Sequence, residues 1–80
     1  MTPAEALGRS IVLHRMVLGL ARKELAAEAG ISYPYMAEIE LGRKEPTMAT
    51  LRTLAGALGV APSTLYAFAE KIERGEPLLA

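Results

Sequence analysis

Few side chains in this 80-residue chain are equipped for covalent or metal chemistry. Cysteine is absent, which removes disulfides, thiolate metal sites and thiol nucleophiles, and is compatible with a reducing compartment. The single histidine, His14, has no cysteine or acid cluster beside it with which to hold a metal, so it reads as a packed, neutral core residue. Ser10, Ser32 and Ser63 have no activating base, carboxylate pair or phosphate loop to work with, and no enzyme reading survives. No cofactor is expected. What remains is charge. Arg22, Lys23, Arg43, Lys44 and Arg52 are cations that one surface can gather, and the adjacent Arg43 and Lys44, not paired at helical spacing, suit an anion such as phosphate brought from outside.

The elements that position those cations follow from composition and punctuation. The length allows one core and no deep cleft, and 51% hydrophobic residues with 22% charged ones specify a folded helical domain, not a disordered chain. Nine basic residues balance nine acidic ones, which works against nonspecific affinity for a polyanion, so distribution has to decide the partner. No apolar run, Ile11 to Leu13 among them, approaches the length of a membrane span, and Met1 to Glu5 lacks the basic start of a signal peptide; a cytoplasmic location is expected.

Five helices are predicted, over about 3–18, 22–29, 33–41, 48–58 and 62–73, within a single domain 1–80. Thr2-Pro3-Ala4-Glu5 has a hydroxyl cap, a proline at the first helical position and a glutamate three residues after the cap. Gly19 ends that helix. Gly30 closes the second, Ser32 caps the third with Pro34 tolerated in its first turn, and Gly42 supplies the stop. Thr47 caps a fourth helix with Leu51, Leu54, Ala55 and Leu58 on one face, and Pro62 opens a fifth with Leu65, Tyr66, Ala69 and Ile72 on one face. No strand alternation, repeat or linker interrupts this all-α pattern.

The second and third helices, joined by Gly30-Ile31-Ser32, have the residue sizes of a helix-turn-helix: Ala26 is small where the helices cross, and Leu25, Ala29, Ile31, Met36 and Ile39 are apolar toward the core. From Leu7 to about Leu65 the chain resembles the helix-turn-helix family of lambdoid phage repressors and Cro proteins, the XRE type. The matching residues are Leu7-Gly8, Ile11, Arg15, Leu20, Glu24-Leu25-Ala26, Ala29-Gly30-Ile31-Ser32, Ile39-Glu40, Gly42, Pro46, Leu51, Leu54-Ala55 and Leu58-Gly59-Val60. The resemblance implies a lambda-repressor-like five-helix bundle, a symmetric homodimer on double-stranded DNA, and a third helix in the major groove with the second across the backbone. It also implies an ion pair between Arg15 and Glu40.

By the same resemblance Arg22, with Lys23 beside it, meets phosphate at the start of the second helix, and Arg43 and Lys44 meet phosphate after the third. Base reading falls to Ser32, Tyr33, Pro34, Ala37 and Glu38. The chain departs from the usual code here, because it contains no Gln or Asn and the third helix has no Arg or Lys. Tyr33 offers a hydroxyl, Pro34 and Ala37 an apolar contact to a thymine methyl, and Glu38 an acceptor for a cytosine amino group. Tyr35 either contacts phosphate or covers the core edge.

Helix 1 is more apolar than one buried face requires. With Leu7, Ile11, His14, Arg15 and Leu18 facing inward, Val12, Leu13, Met16 and Val17 are left over, forming either a partner surface or a wide core contact. Tyr66 and Phe68 point to different faces of the last helix; one of them should reach outward and join the Lys71 to Leu79 tail in a dimer contact, and Phe68 is a candidate for the partner surface. Two function classes remain. The leading one is a DNA-binding transcriptional regulator, with phage immunity repressor, antitoxin and restriction controller as variants; the rival is a protein-interaction module that keeps this fold and presents helix 1 or helix 3 to a protein.

Overall fold

The computed structural model describes residues 1–78 and contains five helices: α1 (Pro3–Val17), α2 (Arg22–Ala29), α3 (Tyr33–Glu40), α4 (Met48–Leu58) and α5 (Pro62–Arg74). Among the described residues there is no strand. The portion of the expected tail contact that falls on Leu79 lies outside the described residues.

Local chemistry sets the helix ends. The Thr2 hydroxyl accepts from the Glu5 amide at 3.1 Å while the Glu5 carboxylate accepts from the Thr2 amide at 2.8 Å, a reciprocal box that opens α1. Ser32 caps α3 through the Tyr35 amide, and Thr47 caps α4 through the Thr50 amide. Gly30 takes φ 70°, and the Ile31 amide then donates back to the Ala26 carbonyl at 3.0 Å, which closes α2 and turns the chain into α3. The predicted boundaries shift by one residue at three ends. α1 and α3 stop at Val17 and Glu40, because Leu18 and Leu41 serve as caps ahead of glycines at positive φ. α5 runs one residue further, to Arg74, before Gly75.

The core draws on every helix. Ile11, Leu25, Met36, Ile39, Leu51, Leu54 and Leu65 are fully enclosed, with Leu7, Ala26, Leu58 and Ala69 around them. α1 and α5 form the broad base of the bundle, tied by the Ser10 hydroxyl, which donates to the Leu65 carbonyl at 2.8 Å inside the core. α3 sits on α1 at Gly8, where a side-chain Cβ would lie 2.5 Å from the carbonyl oxygens of Ile39 and Glu40. That glycine lets the two backbones meet, and so sets how far α3 stands off the bundle.

The expected inward orientation of Leu18 is corrected: it is 52% exposed. Beyond Ile11 no residue of α1 is buried, because the last turns of α1 overhang the enclosed layer. Val12 and Leu13 are half-buried, and Met16 and Val17 are exposed at 63% and 86%, so the overhang forms no wide core contact. His14 is half-buried instead of enclosed. Its Nδ1 lies 2.8 Å from the Ser10 carbonyl oxygen, which only accepts, so Nδ1 carries the proton there. The ring meets Phe68 edge-on at 4.7 Å. Of the two outward candidates on α5, Tyr66 is the exposed one.

Candidate nucleic-acid interface

At about 100° per residue, the enclosed residues of α3, Met36, Ile39 and Glu40, fall on one side, which leaves Pro34, Ala37, Glu38 and Leu41 as the opposite stripe. Pro34 and Leu41 are exposed, and Ala37 and Glu38 are half-buried. Tyr33 stands at the edge of this stripe, half exposed, at the first position of the helix. Ser32 is exposed, with its hydroxyl oxygen already engaged in capping. The five residues expected to read bases therefore lie together at the outer start of α3. Sequence reasoning missed Leu41, whose signal was its spacing of seven from Pro34.

Cations are exposed on the elements before and after α3. Lys23 is exposed on the first turn of α2. Arg43 and Lys44 are exposed in the turn after α3, and both of their amides donate to the Glu38 carbonyl, at 2.9 and 3.3 Å, which folds that turn back against the helix. Tyr35 is half-buried and packs against the core.

Arg22 has a partner that the sequence did not reveal. Its Nε donates to Glu40 Oε1 at 2.7 Å, and its guanidinium carbon lies 5.7 Å from the centre of the Tyr33 ring. The Glu40 hydrogen bond raises the pKa of Arg22 above its ordinary value. The expected Arg15–Glu40 pair is present as a fork: Arg15 Nε reaches Oε2 at 2.8 Å and Nη2 reaches Oε1 at 3.2 Å. Arg15 Nη1 also donates to the Leu20 carbonyl at 2.9 Å. One enclosed carboxylate thus joins α1, α2 and α3, and the triad carries one net positive charge.

A second feature lies away from α3. Leu13, His14, Val17, Leu18, Leu58, Val60 and Phe68 line a half-open apolar groove of about 290 Å³ between the end of α1, the end of α4 and α5. Three of the residues expected on a partner surface, Leu13, Val17 and Phe68, are in it, while Val12 and Met16 are not. Among the described residues no group of His, Cys, Asp or Glu is placed to hold a metal ion, and no helix is long and apolar enough to cross a membrane.

The helix-turn-helix family model matches residues 15–65, which includes Lys23, Arg43, Lys44, the Gly30 turn and the Glu40 triad. The chain belongs to the helix-turn-helix family. It is 38% identical over 60 residues to an uncharacterised helix-turn-helix transcriptional regulator of Sinorhizobium fredii, covering 75% of this chain and 78% of that protein. It is 37% identical over 59 residues to the immunity repressor of Bacillus phage phi105, covering 74% of this chain and 41% of the repressor. Among solved structures, the Corynebacterium glutamicum clp gene regulator ClgR superposes with a TM-score of 0.89 at 30% identity, over 92% of this chain and 79% of that one. The restriction-modification controller C.AhdI of Aeromonas hydrophila superposes with a TM-score of 0.76 at 26% identity, over 78% and 94%. These matches are to regulators and not to a known enzyme family.

Proposed function

We propose that this chain is a sequence-specific DNA-binding transcriptional regulator, of repressor type, that works in the cytoplasm as a homodimer. The observation that carries the reading is the helix-turn-helix itself: α2 and α3 joined at Gly30, with Tyr33, Pro34, Ala37 and Glu38 off the enclosed side of α3, Lys23 exposed on the first turn of α2, and Arg43 and Lys44 exposed in the turn after α3. α3 enters the major groove and α2 crosses the phosphate backbone. Lys23, Arg43, Lys44 and the free end of Arg22 meet phosphates, and supply most of the affinity. Ser32, Tyr33, Pro34, Ala37 and Glu38 face base edges. With few polar readers and one carboxylate on that face, binding by a single copy is weak, and two copies on half-sites about one helical turn apart supply the remainder. The chain catalyses nothing.

The test is affinity for mixed duplex DNA across a salt series. A log–log slope of several units is expected, flattened by about one in each of Arg43→Ala and Lys44→Ala, with Glu38→Ala changing sequence preference instead. A slope near zero for the wild type sinks the reading. A protein-interaction role is favoured by one observation, the exposed Met16, Val17 and Leu18 beside the apolar groove. In the leading reading the same surface serves the second copy.

A further inference from the structure

Of the five residues assigned to base edges, Tyr33 is the one gripped from outside its own helix. The Arg22 guanidinium covers its ring at 5.7 Å, and Arg22 is held in turn at Nε by Glu40. Glu40 cannot swing away: its carboxylate is enclosed and is also bound by Nε and Nη2 of Arg15. Tyr33 and Glu40 lie seven residues apart, two turns of one helix, so they share a side of α3 at opposite ends, and the Arg22 side chain bridges them across that side. The other assigned readers offer less. The Ser32 oxygen is committed to the Tyr35 amide, Pro34 and Ala37 have no polar side-chain atoms, and the Glu38 carboxylate is repelled by phosphate.

We infer that Tyr33 sets base preference at one position of the site, and that Arg22, anchored by Glu40, is the positioning residue that fixes its ring; this rests on the DNA-binding reading. An exposed tyrosine samples several rotamers, and ordering it on binding subtracts from the discrimination it gives. A cation stacked over the ring and tethered to a buried carboxylate restricts those rotamers beforehand. The role requires a planar guanidinium, because a lysine keeps the charge but neither the stacked plane nor the Nε bond.

The test measures relative affinity for each base at each position of the selected site, together with the salt slope, for the wild type, Arg22→Lys, Tyr33→Leu and the double variant. Arg22→Lys is expected to leave the salt slope unchanged and to lower discrimination about two- to tenfold at one base position. Tyr33→Leu is expected to lower it at that same position, and the double variant to lose no more than Tyr33→Leu alone. Circular dichroism of each variant checks the fold; Tyr33 is exposed and Arg22 partly so. The inference is overturned if Arg22→Lys weakens all sequences equally, if the two single variants relax different positions, or if their effects multiply. Wild-type protein that shows no salt-dependent binding to any duplex overturns the regulator reading and this inference with it.

Discussion

Glu40 accepts from Arg22 at 2.7 Å and from Arg15 at 2.8 Å, so one enclosed carboxylate serves two cations. The two cations are not equivalent: the Arg15 side chain is 14% exposed and forked, whereas that of Arg22 is 30% exposed and bound at one atom. Removing Glu40 leaves two guanidiniums facing each other, one of them largely desolvated. Removing either arginine leaves the carboxylate still paired.

Chemical denaturation is therefore expected to rank three variants. Glu40→Ala costs about 3–5 kcal/mol, the range for an orphaned buried charge. Arg15→Ala costs less than that, because Arg22 continues to compensate the carboxylate, and Arg22→Ala costs about 1 kcal/mol because solvent screens its pair. Equal costs for Glu40→Ala and Arg22→Ala would show that Arg15 alone does not compensate the carboxylate.

Two glycines in helices predict opposite outcomes for the same substitution. At Gly8 a Cβ meets the backbone carbonyls of Ile39 and Glu40 at 2.5 Å, and neither can move without lifting α3 off α1. Gly8→Ala should cost about 1–3 kcal/mol. At Gly56, within α4, a Cβ meets nothing and φ is not positive. Gly56→Ala should add about 0.5–1 kcal/mol by lowering the entropy of the unfolded chain. Melting temperatures that fall for the first and rise for the second check the pair.

How much of this was written locally in the sequence is visible in the same residues. The caps at Thr2, Ser32 and Thr47 and the turn at Gly30 depend on neighbours within a few positions, so residue type alone located four helix starts or stops to within a residue. Arg15–Glu40 came through family resemblance. Arg22–Glu40 spans 18 residues on two different helices, and it exists only because α2 and α3 fold back on each other. Leu18 was misplaced because apolar spacing continues along α1 after the enclosed layer has stopped at Ile11. Periodicity reports which side of a helix is apolar, and not how far a partner extends beneath it.

The overhang of α1 carries a prediction about assembly. Met16 and Val17 make no core contribution, so Met16→Glu and Val17→Glu should leave the unfolding midpoint nearly unchanged. If this end of α1, with the groove beside it, receives the second copy, either charge should convert a dimer to a monomer in sedimentation. An unchanged oligomeric state in both variants removes α1 from the interface.

The last prediction concerns acid. The hydrogen bond from the Thr2 amide, supported by the nearby Thr2 side chain and with smaller effects from the N-terminus and Arg9, holds the Glu5 carboxyl below its ordinary pKa. In the unfolded chain those partners are gone and the pKa returns to the usual carboxylate range. A group whose folded pKa is depressed contributes stability above its unfolded pKa, and the contribution is lost as pH falls through the folded value. The difference in melting temperature between wild type and Glu5→Gln should therefore be full at neutral pH and shrink through the acid range below the ordinary carboxylate value. Because Glu5 is at the surface, added salt should weaken only its small Coulombic part and leave the hydrogen-bonded part in place. A difference that stays constant from neutral to strongly acid pH would show that the ionised carboxylate is not what closes the first turn of α1.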